Sequence, residues 1–337
     1  MKPPYAQMVS VGAYVPKKTL TNAELEKMVD TTDEWITKRT GIQTRHIAAE
    51  DEATSDLAYH AAISAMDRAG ISGADVDLLI VASISGDYLF MPSTACVLAH
   101  RLGIKGIGAF DVLAACSGFI YALSTAKAYI ESGMAKCVLI VGAEALSRFV
   151  DYTDRGTCIL FGDGAGAAVI RASDSPENRV LDVKIGADGE FQDFLITPGG
   201  GSRHPACGVV KNESRQFMEM KGNETFKVAV KTLTQDVQEI LRRNDISAAS
   251  VKHFVPHQAN YRIIKAVGDA LNLREDQVVM TVAKYGNTSA ASIPMALNDL
   301  YEEGRLQNGD LLLLDAFGGG LTWGSALINF AGEGKVA

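Results

Sequence analysis

Apolar runs of strand length recur along the chain at 76–83, 137–141, 165–170, 251–255 and 311–314. Alanine-rich stretches of helical length lie between them at 55–69, 117–130, 225–243 and 289–301. Strand-length runs alternating with helix-length stretches predict an α/β fold rather than an all-α or all-β one.

The pattern also echoes itself. Residues 69–76, AGISGADV, lead into a strand, and so do residues 244–251, NDISAASV, with Ile, Ser, Ala and Val recurring 175 positions apart. A second echo, 171 positions apart, pairs ESGM before CVLIVG with EEGR before LLLLDAF. Two echoes in the same order predict a chain built from two similar halves, 1–172 and 180–337. The join falls in the polar, proline-containing stretch 172–179, and residues 197–213, rich in glycine and proline, read as a long surface loop. Applied to Cys116, the second offset lands on Asn287, so these two residues are expected to begin equivalent helices facing one another across a pseudo-twofold axis.

A chain of 337 residues with 47% hydrophobic content can bury a large core. Its net charge of −8, from 32 basic and 40 acidic residues, argues against nucleic acid or an anionic membrane as a partner of the whole protein. The five cysteines form no CxxC pair and no disulfide framework, which points to a reducing compartment. No segment reaches the roughly 18 consecutive apolar residues that a membrane span needs. A cytoplasmic location is expected.

Cys116 follows a strand-like run, 110–115, and precedes the helical stretch FIYALSTAKAYI, which puts it at a helix N-terminus. Free backbone N–H groups and the helix dipole there favour a thiolate. Cys96, Cys137 and Cys158 lie among apolar neighbours and read as packing residues, whereas Cys207 sits in the long loop. His257, in VPHQAN, directly follows a strand, where functional side chains of α/β proteins gather. Asn287, in YGNTSAAS, reads either as an N-cap or as a polar group of the same site. The glycine-rich stretches 161–168 and 316–324 lack the spacing of nucleotide-phosphate loops. Close backbone approach accounts for their glycines, and in the second it would aim a backbone N–H at a developing oxyanion. No zinc spacing and no paired-carboxylate motif is present.

Six motifs, DEWITKRTGI (33–42), AACSGF (114–119), DRGTCILFGDGAGAAV (154–169), VPHQAN (255–260), GNTSAASIP (286–294) and AFGGGLTWGSAL (316–327), make the chain resemble the ketoacyl synthase III family end to end. These are the 3-oxoacyl-acyl-carrier-protein synthases that start fatty-acid chains, within the thiolase-like condensing enzymes. The resemblance implies a five-layered α-β-α-β-α fold of two similar halves and a homodimer. It implies a Cys-His-Asn triad at Cys116, His257 and Asn287, with oxyanion-hole amides at Cys116 and Gly319. The implied reaction is a decarboxylative Claisen condensation of an acyl-CoA primer with malonyl-acyl carrier protein through an acyl-Cys116 intermediate, with no metal or bound organic cofactor.

By the same resemblance Trp35, Arg39 and Arg155, with Thr40 and Asn260, would grip CoA, guanidinium on phosphate and indole on adenine. Lys227, Lys231, Arg262 and Lys265 would receive the acidic carrier protein. Phe317 and Met91 would bound the acyl pocket, Met91 capping that of the partner subunit. Many family members carry Phe near this Pro-Ser step, and the flexible methionine here admits a longer or branched primer. The 199–208 loop also looks longer than in common relatives. Two alternatives remain: a starter-unit ketosynthase or acyltransferase of a secondary-metabolite pathway, and a non-catalytic scaffold that binds carrier protein. An α/β-hydrolase is disfavoured by the absence of a GxSxG elbow.

Overall fold

A computed structural model describes residues 3–205 and 216–335; Cys207 and part of the 197–213 loop lie outside the described residues. The first half runs β1 (Tyr5–Tyr14), β2 (Lys18–Thr21), α1 (Asn22–Leu25), α2 (Asp33–Thr40), β3 (Thr44–Ile47), α3 (Thr54–Ala69), β4 (Leu78–Ala82), α4 (Thr94–Arg101), β5 (Gly108–Val112), α5 (Gly118–Glu131), β6 (Cys137–Glu144) and β7 (Gly164–Ser173). The second runs β8 (Val180–Ala187), β9 (Leu195–Ile196), β10 (Glu219–Met220), α6 (Gly222–Arg243), β11 (His253–Pro256), α7 (Tyr261–Ala270), α8 (Val282–Tyr285), α9 (Ser292–Glu302), β12 (Leu311–Gly318) and β13 (Thr322–Asn329).

Two large sheets repeat one plan. The first has the order β1-β7-β6-β4-β5, antiparallel at β1/β7 and β7/β6 and parallel from β6 onward. The second reads β8-β13-β12-β11 with the same senses, and an isolated parallel bridge from Phe254 to Val278 stands where the fifth strand would be.

Period-2 alternation decides the layering, because the inner strands bury both faces. Val138 and Ile140 of β6 pack into the core between the sheets, whereas Leu139, Val141 and Ala143 pack outward against α3 and α4. On β12, Leu312, Leu314 and Ala316 face the central core, and Leu313 and Phe317 face outward. Helices α5 and α9 touch both sheets and form the central layer. Helix α6 presents Ala229, Leu233, Val237 and Ile240, at helical spacing, to the outer face of the second sheet, with α7 beside it. The result is five layers, α-β-α-β-α.

One expectation needs correction. The residue of the second half equivalent to Ala115 is Ser289: both adopt left-handed φ, 46° and 49°, and both open a short 3-10 turn that runs into a central helix. They stand 174 positions apart, so Asn287 precedes this kink instead of matching Cys116. Helix α5, with 14 residues, is longer than α9, with 11, and this difference takes the offset from 174 at the kink to 171 at the helix ends, where the second echo lies.

Candidate active site

Cys116 sits in the turn 115–117 between β5 and α5. Ala115, a non-glycine residue with positive φ, marks a backbone held by its surroundings. The end of β12 presses on this turn: a Cβ on Gly318 would stand 2.6 Å from the Cys116 backbone N. Thr322 of β13 bonds Ala114 O at 2.9 Å and Ser117 Oγ at 2.8 Å, which ties the turn to the second sheet. The nucleophile candidate therefore lies at the seam between the two halves.

His257 follows Pro256 at the end of β11, and its backbone N–H donates to Asp315 O at 2.6 Å. Gln258 fixes the corner: its Nε2 donates to Pro256 O and Val279 O, and its Oε1 accepts from the N–H groups of Thr281 and Val282. The ring Nδ1 lies 2.6 Å from Ser292 Oγ, which also accepts the Gln258 N–H at 3.3 Å. With the Ser292 hydroxyl donating to Nδ1, the neutral ring carries its hydrogen on Nε2, the tautomer adopted below. Asn287 is oriented in the same manner: its Oδ1 accepts the Ser289 N–H at 2.9 Å, leaving Nδ2 to donate. Its backbone pairs with Leu160 and Gly162.

Cys116, His257 and Asn287 line one cavity of about 90 Å³, walled by Phe226 and Leu233 of α6, Ile263 and Val267 of α7, Phe161 and Phe317. All three are buried. Burial pushes the Cys116 thiol up to about 12, against the hydrogen bond of Ser289 that pulls it down, and so opposes the thiolate that a helix N-terminus favours. Burial likewise pushes His257 down to about 3, so the imidazole is neutral and able to donate. Asp315, also facing the cavity, is buried with no side-chain hydrogen bond of full geometry among the described residues, and burial and Asp236 hold its carboxyl well above the usual range, against the Ala316 N–H that lowers it.

The guanidinium carbons of Arg39 and Arg155 lie 5.2 and 5.4 Å from the Trp35 ring. The apolar cluster under Trp35 supplies Leu160, Phe161, Met220 and Ile264, which also wall the cavity. Asn260 caps α7, its side chain accepting from Arg262 and Ile263, and it too lines the cavity. Thr40 is not brought to this groove: it is buried, and its hydroxyl donates to Ile36 O and accepts from Ile42 N–H.

The four basic candidates divide. Arg262 stacks over Phe226 at the cavity wall, 4.9 Å from the ring, whereas Lys227 and Lys231 line a separate groove with Lys184, Asp236 and Glu239. Lys265 is paired with Asp269 at 3.0 Å. Gly319 directly follows the β12 terminus that abuts Cys116. Met91 does not line the Cys116 cavity; it is 81% exposed, within an apolar stretch 88–91. Cys96 is exposed, not packed as expected, while Cys137 and Cys158 are buried. Residue-type reasoning missed Glu144 and Ser292, polar side chains that the tertiary fold brings to Cys116 and His257, and Ser289, the neighbour of Asn287 in sequence.

Comparison with known proteins converges on one family. Residues 110–189 match the family described as 3-oxoacyl-(acyl-carrier-protein) synthase III, and residues 241–330 match its C-terminal counterpart. The beta-ketoacyl-(acyl-carrier-protein) synthase III of a Sulfurovum species is 64% identical, over 98% of each chain. The crystal structure of the Aquifex aeolicus 3-oxoacyl-(acyl-carrier-protein) synthase III, 45% identical, superposes with a TM-score of 0.88 over 96% of this chain and all of that one. The priming beta-ketosynthase of the R1128 polyketide pathway, 34% identical, gives 0.91 over 98% of this chain and 97% of that one. Identity at this level over whole chains, on a matching fold and with the three motif residues gathered at one cavity, establishes that the chain belongs to the 3-oxoacyl-(acyl-carrier-protein) synthase III family of thiolase-fold condensing enzymes.

Proposed function

We propose that the protein joins a short acyl-CoA primer to malonyl-acyl carrier protein by decarboxylative Claisen condensation, giving 3-oxoacyl-acyl carrier protein. One observation carries this reading: two oriented neutral donors, His257 Nε2–H and Asn287 Nδ2–H, share a buried cavity with the Cys116 thiol. Sulfur attacks the primer thioester, CoA departs, and the acyl group stays on Cys116. Malonyl thioester then enters; the two donors hold its carbonyl oxygen and stabilise the enolate formed as carbon dioxide leaves. The enolate carbon attacks the acyl-Cys116 carbonyl, whose oxygen is received by the backbone N–H groups of Cys116 and Gly319. Stabilising the enolate needs only a hydrogen-bond donor, and a buried histidine held neutral supplies one without placing an unpaired cation in the cavity.

CoA enters as a substrate, and thiol, imidazole, amide and backbone groups carry the chemistry without a metal or organic cofactor. Trp35, Arg39 and Arg155 grip its adenine and phosphates, and Asn260 its pantetheine arm. Arg262 beside the cavity wall, with Lys265 on the same helix and Lys227 and Lys231 in the adjoining groove, meets the acidic carrier protein. The apolar stretch 88–91, together with Leu113, 80% exposed, is covered in a homodimer in which Met91 closes the partner's acyl pocket. The chain divides functionally at 173–179, the first half bringing Cys116 and the second His257 and Asn287. Among the described residues no helix is long and apolar enough to cross a membrane, and we place the reaction in the cytoplasm. The test is a reaction of full-length protein with acetyl-CoA and malonyl-acyl carrier protein: a 3-oxobutyryl carrier protein by intact mass supports the proposal. Free carbon dioxide or CoA without that product opposes it.

A further inference from the structure

The steps above give no task to Asp315 or to a second buried acid, Glu144. Glu144 closes β6 and is fully buried. Its Oε2 accepts from Ser85 Oγ at 2.5 Å, Ile84 N–H at 3.1 Å and Ser83 Oγ at 3.2 Å, whereas Oε1 has no hydrogen-bond partner among the described residues. Ser289 Oγ is buried as well, on a backbone held at φ 49°, and makes no hydrogen bond of full geometry among the described residues. The turn 289–291 is wedged between β6 and α5: a Cβ on Gly142 would stand 2.2 Å from Ala290 O, and one on Gly118 3.5 Å from Ala290 Cβ. Gly142 lies two residues before Glu144, and Gly118 two after Cys116, so the turn that carries Ser289 packs against the segments of both acid and thiol, and the Ser289 hydroxyl pulls both groups' pKa down. The titratable group facing Glu144 is Cys116, on the turn ahead of α5; Ser83 and Ser85 after β4, and Ser289, do not titrate.

We propose that Glu144 takes up the Cys116 proton through the Ser289 hydroxyl during acylation, holds it through the life of the acyl-enzyme, and returns it when the sulfur departs. This rests on the acyl-transfer role of Cys116. The S–H bond breaks as its proton passes to Ser289 Oγ, the Ser289 proton passes to Oε1, and the sulfur electron pair forms the bond to the thioester carbon. CoA leaves as its thiolate and takes a proton from water. In condensation the enolate attacks, Cys116 is expelled as thiolate, and the stored proton comes back along the same path.

Charge favours this route. The buried site carries one negative charge before and after the transfer, whereas passing the proton to neutral His257 would create two opposite charges in a dry cavity. Burial also lifts Glu144 to about 7, close to neutral working conditions, as an efficient proton acceptor requires.

The test follows Cys116 acylation by acetyl-CoA and alkylation by iodoacetamide from pH 5.5 to 9 in full-length wild type, Glu144→Gln and Ser289→Ala. Wild-type rates should rise through about pH 7 and then level. Both variants should be slower by about 100-fold at pH 7.5, with rates still climbing at pH 9. Two variants that keep the wild-type rate and midpoint overturn the relay. If Glu144→Gln does not fold, Ser289→Ala alone decides by the same criterion. A wild type that is alkylated but never acylated removes the acyl-transfer role instead; the alkylation profile then supports the relay if its midpoint depends on Glu144, and overturns it if not.

Discussion

Replacing Ser292 by alanine separates the two half-reactions. Ser292 Oγ sits 2.6 Å from His257 Nδ1 and is the group that sets the hydrogen on Nε2. Alanine leaves Nδ1 buried without a partner, which costs about 1–3 kcal/mol. It also frees the ring to carry its proton on the wrong nitrogen. If that cost falls on the decarboxylation step, the rate drops by about 5- to 150-fold. Acylation of Cys116, in which the His257 donor has no part, should stay within about 3-fold of wild type. Single-turnover acylation by acetyl-CoA and carbon dioxide release from malonyl-acyl carrier protein measure the two steps separately. Equal losses in both steps, or an unchanged decarboxylation rate, would refute the assigned tautomer.

The remaining expectations are simpler to state. Trp35→Ala and Arg155→Ala should each raise the KM for acyl-CoA by about 10-fold with little change in kcat, in steady-state kinetics, because they hold a part of CoA remote from the reacting carbon. Glu144 binds its proton more tightly folded than unfolded, so wild type should lose stability as pH rises from about 4.5 to about 7, by about 1.4 kcal/mol per unit. Glu144→Gln should lack that loss in denaturant unfolding, its advantage growing across this window and constant above it. Leu89→Asp, in the exposed apolar stretch, should convert a dimer into monomers in sedimentation experiments.

Legibility followed burial. Strands buried on both faces, such as β4, β6 and β12, read directly as apolar runs. Strands β1, β8 and β13 interleave polar and small residues and were missed, because antiparallel pairing and partial exposure relax the demand for continuous hydrophobicity. Cys116 and His257 were legible because each follows a strand. Ser292 and Glu144 were not, since their closeness to His257 and to the Cys116 turn exists only once β6, α5 and α9 pack around the seam, and Ser289, though two residues from Asn287, gave no sign in sequence that it faces the other two. The thiol's environment was half legible: a helix N-terminus, which favours a thiolate, is visible in sequence, but the desolvation that opposes it is a property of the assembled cavity. Thr40, inside the motif 33–42, shows that a motif position can serve the motif's own fold, here by closing α2.

The central claim is that Cys116 carries the acyl group, and intact mass measures it directly. Full-length protein and a Cys116→Ala variant, briefly exposed to acyl-CoAs of increasing length and branching, should differ by one acyl adduct, present in wild type and absent in the variant. The adduct yields would also rank the primers. Wild type that gains no mass with any acyl-CoA, or a Cys116→Ala protein that still does, would contradict the account.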